Sequence, residues 1–438
     1  MSKRVLIMGA AGKDFHLFNT LFRGRNHARV EAFTATQIPG IEGRVYPQEL
    51  AGPEYPGGIP IEPEERLEEL IRERAIDEVL FAYSDVSYDH VDERRRCVEA
   101  TGTAFRTPDP RALMLETRVP VVAVCAVRTG CGKSQTSRHV LEVLRNLGKR
   151  VVAVRHPMPY GDLVKQRVQR FASIDDLQAQ HCTIEEMEEY EPHIRNQAIV
   201  YAGVDYRAIR DAAQREADVV IWDGGNNDTP FFRPKLHITL VDPHRPGHEL
   251  SYYPGRENLE LADVILFNKM DSASRENVEQ IEANIQKHNP RAKRVYARSP
   301  IHVERVDHIE GKRVVVVEDG PTVTHGGMKF GAGILAARKY GARETVDPRP
   351  YLVGSIAETF RTYPDIGTLI PAMGYGERQM RDLEETINRV ECDSVIVATP
   401  IDLGRVLQLD KPAVRVTYEL DDSASQPNLE QLLREIFA

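Results

Sequence analysis

The sequence predicts an α/β fold of mostly parallel sheets, and three observations carry the prediction. Apolar runs of strand length alternate with segments whose apolar residues recur at helical spacing. Two of the runs, Val121–Val127 and Ala217–Asp223, lead into glycine-bearing turns, as strands do beneath a ligand in α/β sheets. The 438 residues suffice for two or three domains with substantial cores. The expected parts are a Rossmann-like domain over 1–117, a central domain over 118–342 and a small α/β domain over 343–438.

In the first part, Arg4–Met8 reads as a strand, Gly9–Gly12 as a turn, Asp14–Phe22 as the start of a helix and Arg29–Thr34 as a second strand. Ile38–Pro63 is rich in proline and glycine and reads as a long loop. A charged amphipathic helix over Pro63–Ala75, a strand over Val79–Tyr83, a helix over Tyr88–Ala100 and a strand over Thr103–Arg106 follow. The Gly-x-x-Gly turn lacks the full dinucleotide fingerprint, and Glu31, the acid about 20 residues on, falls inside the second strand. A structural or dimerising role is therefore expected here rather than cofactor binding.

In the central part, the strand 121–127 runs into Val127-Arg-Thr-Gly-Cys-Gly-Lys-Ser134, and a helix with Val140, Leu141 and Leu144 on one face begins there. A glycine turn between strand and helix brings backbone N–H groups and the helix N-terminus onto phosphate oxygens. The loop residues Thr129, Gly130, Cys131, Gly132, Lys133, Ser134 and Gln135 are thus candidates for holding a nucleoside triphosphate. Lys133 would meet the β- and γ-phosphates, and Ser134 would ligate Mg2+. Asp223, at the end of the next core strand, would hold the same magnesium. Gly224–Asp228 is a turn suited to sensing a γ-phosphate, and Asp228 either orients a water or substrate hydroxyl or caps the turn. Further strands are expected at 151–155, 218–223, 236–241, 263–267, 293–297 and 313–317, with a helix over Ser274–Lys287. The strand 263–267 ends in Asn268-Lys-Met-Asp271, a guanine-reading pattern. Asp271 would accept from guanine N–H groups, Lys269 would lie over the purine, and Asn268 would tie this loop to the phosphate loop. Ala297–Ile301 is a further candidate base-contacting loop.

Charge and cysteine usage narrow the function classes. A net charge of −9 argues against nucleic-acid or acidic-membrane partners. No run approaches the ~18 apolar residues of a membrane span. Five scattered cysteines without a C-x-x-C pair fit a reducing cytoplasm and give no structural zinc. Cys131 lies in the phosphate loop, where it is either activated by helix N-terminal amides or a small residue that fits.

Arg128–Arg138, Arg155–Asp162, Trp222–Asp228, Asn268–Asp271 and Glu318–Met328 together resemble the cyclic 2,3-diphosphoglycerate synthetases and their bacterial relatives described as predicted GTPases. The likeness is expected to run over nearly the whole chain. The core is similar to the broader class of dimerising P-loop NTPases. That class implies a homodimer, with Arg128 at the position of an extra lysine that acts near the shared face. The synthetase resemblance implies ATP use and a small anionic, phosphorylated second substrate, whereas Asn268–Asp271 points to GTP. Arg155 and His156, at the carboxyl end of a core strand, are the favoured contacts for that substrate. Lys165, Arg167, Arg170 and His181 are either further contacts or solvated charges. Two readings follow: an enzyme coupling triphosphate cleavage to phosphoryl activation of a small acid, or a regulatory GTPase acting on a protein. The lack of Cys/His clusters favours the enzyme.

Overall fold

The computed structural model describes residues 2–36, 41, 43–156, 161–225, 227–324, 328–372, 376–400 and 403–438. Among these residues the strands form three large α/β sheets, arranged around the loop after Ala126.

The N-terminal sheet has the order Val45–Tyr46, Ile59–Pro63, Ala28–Ala35, Lys3–Met8, Glu78–Phe81, Ala104–Arg106. It is parallel apart from the Val45–Tyr46 edge. The segment expected as one long loop thus carries two strands and a short helix, Gln48–Ala51. Its alternation is too short to show as a period. Glu31 lies within Ala28–Ala35 and pairs with Arg4 at 3.2 Å, so it is occupied in the sheet.

The central sheet has the order Gln169–Phe171, Ile199–Ala202, Val151–Val154, Val219–Trp222, Val121–Ala126, Leu236–Val241, Val264–Phe267, Lys293–Tyr296. Only Gln169–Phe171 runs antiparallel. Val121–Ala126 lies near its middle and is wholly buried, as continuous apolar runs in parallel sheets require. The helix Lys133–Asn146 follows, burying Val140, Leu141, Val143 and Leu144, and Gly148 takes φ +76° just beyond its end. The helix Arg275–His288 is capped by the Ser274 side chain, which accepts from Asn277 N–H.

The third sheet corrects the expected organisation. Strand Arg313–Asp319, expected in the central sheet, pairs with Ser394–Ala398, Ile370–Ala372 and Glu344–Thr345. Ile301–Val303 pairs with Ala413–Tyr418 at the other side. Residues from about 301 therefore belong with the C-terminal part rather than from 343, because Val314–Val317 bury themselves among Ile334, Ile356, Ile370 and Ile396. The chain then returns: helix Leu429–Phe437 sets Leu429, Leu432, Leu433 and Phe437 into the core of the central domain. Among the described residues no helix is long and apolar enough to cross a membrane.

Candidate functional site

The site is assembled where the carboxyl ends of Val121–Ala126, Val219–Trp222 and Leu236–Val241 meet. The loop between Ala126 and Lys133 needs its glycines: Gly130 has φ +82° and Gly132 φ +102°. A Cβ on Gly132 would run into Asn268 Nδ2, with Gln135 Nε2 at 2.7 Å. Lys133 starts the helix, contacts the Gly224 carbonyl and lies 3.5 Å from Asp223 Oδ1. Ser134 is exposed beside it.

Asp223 is fully buried and faces three side chains, Arg155, Lys133 and His193. Arg155 Nη1 reaches Oδ2 at 2.5 Å and His193 Nε2 reaches it at 3.0 Å. Burial pushes its pKa up, yet Arg155, Lys133 and His193 outweigh burial and hold it well below the usual carboxylate range. Oδ1 takes no hydrogen bond among the described residues. With the exposed Ser134 beside Lys133 at the helix start, that buried carboxylate oxygen fits an outer contact to magnesium.

Arg155 differs from its expected role as a substrate contact. It is 1% exposed and held between Asp223 and Glu189. His156 faces the other way, with Nε2 3.0 Å from Asp228 Oδ2. Asp228 also accepts from Ser84 Oγ of the N-terminal domain. Both carboxylate oxygens of Asp228 thus face neighbouring side chains. Lys165 is exposed, Arg167 binds Asp205, Arg170 binds Glu216 and His181 is exposed, so none of the four joins the cluster.

Arg128 was expected near a twofold face. It is 3% exposed, its Nε lies 2.8 Å from Asp85 and its guanidinium is 3.6 Å from the centre of the Tyr252 ring. Within the chain, its buried guanidinium is held by a carboxylate and an aromatic face of its own fold. Thr129 Oγ1 donates to Asp85 Oδ2 at 2.7 Å and accepts from Asn227 Nδ2 at 3.3 Å. Cys131 is buried, and burial pushes its thiol pKa up although Arg245 and Lys269 oppose this; the thiol is a fitting residue, not an activated one.

The guanine-type loop touches the phosphate loop directly. Asn268 Nδ2 donates to the Cys131 carbonyl at 2.7 Å. Lys269 donates to the Gly130 carbonyl at 2.7 Å and to Asp242 Oδ2 at 2.8 Å, so its ammonium end is tied to the loop. Asp271 accepts from Ser299 N–H at 2.9 Å, and Ser299 Oγ donates to Gln135 at 3.2 Å.

Several residues joined to the site carried no motif. Asp242, at the end of Leu236–Val241, holds Lys269, His244 and Arg245. Burial raises its pKa, and those three outweigh burial and depress it. Its only signal in sequence was an acid after a core strand, the same signal that singled out Asp223. Asp85 gave a weaker version of that signal after Glu78–Phe81. Thr322 of the third domain would lie 3.1 Å from a Cβ at Gly130, which brings that domain against the loop. In the N-terminal turn, Asp14 accepts from Ala11 N–H at 2.6 Å and from Phe15 N–H at 2.7 Å. A carboxylate therefore occupies the place where a dinucleotide fold would bind pyrophosphate.

No protein-family model matches the chain. It is 57% identical over 433 residues to the arginine synthetase ArcE of Thermococcus kodakarensis, across 99% of this chain and 96% of that protein. The cyclic 2,3-diphosphoglycerate synthetase of Methanosphaera stadtmanae is 24% identical over 216 residues, 48% of this chain and 44% of that protein. The likeness expected over nearly the whole chain thus covers about half of it. Among solved structures, LpxK from Aquifex aeolicus in complex with ATP aligns over 85% of this chain and all of its own, at 12% identity and a TM-score of 0.44. The 57% identity to ArcE across 99% of this chain and 96% of that protein shows that the chain belongs to the family of enzymes that contains the arginine synthetase ArcE.

Proposed function

We propose that the protein is a nucleoside-triphosphate-dependent synthetase that forms arginine by phosphoryl activation of a small amino acid. The likeness to ArcE over 96% of that protein carries the reading. The loop chemistry supports it: Lys133 stands between the phosphate loop and a buried, ionised Asp223. The substrate is then a zwitterionic amino acid with a ureido end rather than the phosphorylated acid that the other resemblance implied.

The ureido oxygen attacks the γ-phosphorus, the bond to the β-bridging oxygen breaks, and the nucleoside diphosphate leaves. Ammonia then adds to the ureido carbon, inorganic phosphate departs with the former ureido oxygen, and the proton released from the nitrogen goes to a base. The products are arginine, nucleoside diphosphate and phosphate. Lys133 and the loop N–H groups hold the phosphates and offset charge that builds during transfer. Arg128 adds a fixed positive charge beside them. Magnesium, when bound through Ser134 and Asp223, would supply charge neutralisation at the phosphates. The enzyme is proposed to be a cytoplasmic homodimer.

Protein supplied with Mg-ATP or Mg-GTP, citrulline and ammonium is expected to yield arginine in step with phosphate. Triphosphate turnover that ignores every amino acid offered would overturn the synthetase reading and favour a regulatory GTPase. Asp271→Asn separates the nucleotides: a guanine site loses about 1–3 kcal/mol of affinity for GTP and gains for xanthosine triphosphate. Equal ATP and GTP affinities, unmoved by the substitution, would place ATP in the site.

A further inference from the structure

The N-terminal domain does more than pack against the central one. Two short segments, Ser84–Asp85 and Asn227–Asp228, clasp each other across the seam between the domains. Ser84 donates to Asp228, while Asp85 and Asn227 both bond Thr129 of the phosphate loop. Asp85 and Asn227 hold φ near +59° and +57°, a left-handed conformation that costs a non-glycine residue energy and gathers at functional sites. On the same seam, a Cβ on Gly12 would lie 2.5 Å from His156 Nδ1. The next residue, Lys13, is 4% exposed. Its ammonium donates to Tyr253 OH at 3.2 Å and lies 4.3 Å from the ring centre. Among the described residues no carboxylate is within ion-pair distance of it; burial disfavours its charge and lowers its pKa, while Asp228, Glu257 and Asp14 oppose this from further away. A buried lysine with one donor used and no carboxylate at hand is suited to an arriving anion, which favours its charged form.

We propose that this seam is the amino-acid site: Asp228, backed by His156, accepts the N–H groups of the ureido or guanidino end, and Lys13 receives the substrate carboxylate. The assignment rests on the arginine-forming reading above. It fits a ligand with a planar N–H fork at one end and a carboxylate at the other, and it makes the N-terminal domain half of the active site. Because these side chains are buried, admission of the ligand requires the two domains to part along the seam.

The test is calorimetric titration of the full-length protein with L-arginine and with citrulline, in the presence of nucleoside diphosphate. Lys13→Met and Asp228→Asn are each expected to weaken amino-acid binding about 10–100-fold while leaving nucleotide affinity within about twofold. Lys13→Arg, which keeps the charge, is expected to recover part of the loss, and thermal melts establish that each variant is folded. Amino-acid binding to the parent that none of these substitutions changes would overturn the seam site and leave the arginine reading standing. Loss of nucleotide affinity in equal measure would also overturn it, since the seam would then only support the phosphate loop. A parent protein that binds neither amino acid overturns both the site and the reading beneath it.

Discussion

Lys133 contacts both the segment after Asp223 and Asp223 itself, so its removal is expected to be felt by phosphate and carboxylate together. Lys133→Ala is expected to lower arginine formation about 10²–10³-fold, the usual loss for one preorganised electrostatic partner. Near-parental rates in a phosphate-release assay would remove the loop from the chemistry. A second residue-scale prediction concerns stability. Burial raises the Glu318 pKa from its ordinary 4.5 to about 8, although the N–H groups of Ile334, Gly331 and Gly333 oppose it. The folded state therefore holds a proton that the unfolded chain releases near pH 4.5. Glu318's contribution is most favourable below that pH and is lost as pH rises towards 8. Glu318→Gln should accordingly gain melting temperature relative to the parent as pH goes from 5 to 8.5. A difference independent of pH, by scanning calorimetry, would show that Glu318 ionises freely.

Among the elements, the closing helix Leu429–Phe437 departs most from its place in the chain. It follows the third sheet in sequence yet docks in the central core, with Leu433 fully buried. Leu433→Ala is expected to cost about 2–5 kcal/mol, the range for a leucine whose cavity cannot collapse. A urea midpoint unchanged from the parent would mean that the helix adds nothing to the central domain. Elements of this kind were hard to read. The helices Ile174–Ala179 and Ile184–Arg195 are dense in acids, and the strand Ile199–Ala202 is only four residues long. The strand Val121–Ala126 and helix Lys133–Asn146 were legible because apolar run, glycine turn and helical period follow one another without a gap.

At the scale of the whole molecule, residues that follow strands of three sheets converge on one loop: Asp85 from the first, Asp223 and Asn268 from the second, Thr322 from the third. Arg128 pairs with Asp85 of its own chain, so it is expected to act in cis. Mixing Arg128→Ala with Lys133→Ala protein should therefore restore no activity, even if sedimentation shows mixed dimers. Recovery to about a quarter of the parental rate would require the arginine to cross between subunits.

The sequence alone determined what is written in contiguous residues. That covers the α/β class, the strand–turn–helix at Val127–Ser134, the acid ending Ala217–Asp223 and the Asn268–Asp271 loop, each a local pattern of spacing and burial. Tertiary structure alone decided which charges meet. Arg155 came to partner Asp223, Arg313–Asp319 changed sheets, Lys13 came to Tyr253, and Asp85 came to a loop more than forty residues away. An isolated lysine or aspartate has no period along the chain. Its role follows from what is packed around it, because burial makes each charge depend on a partner that the sequence places far away.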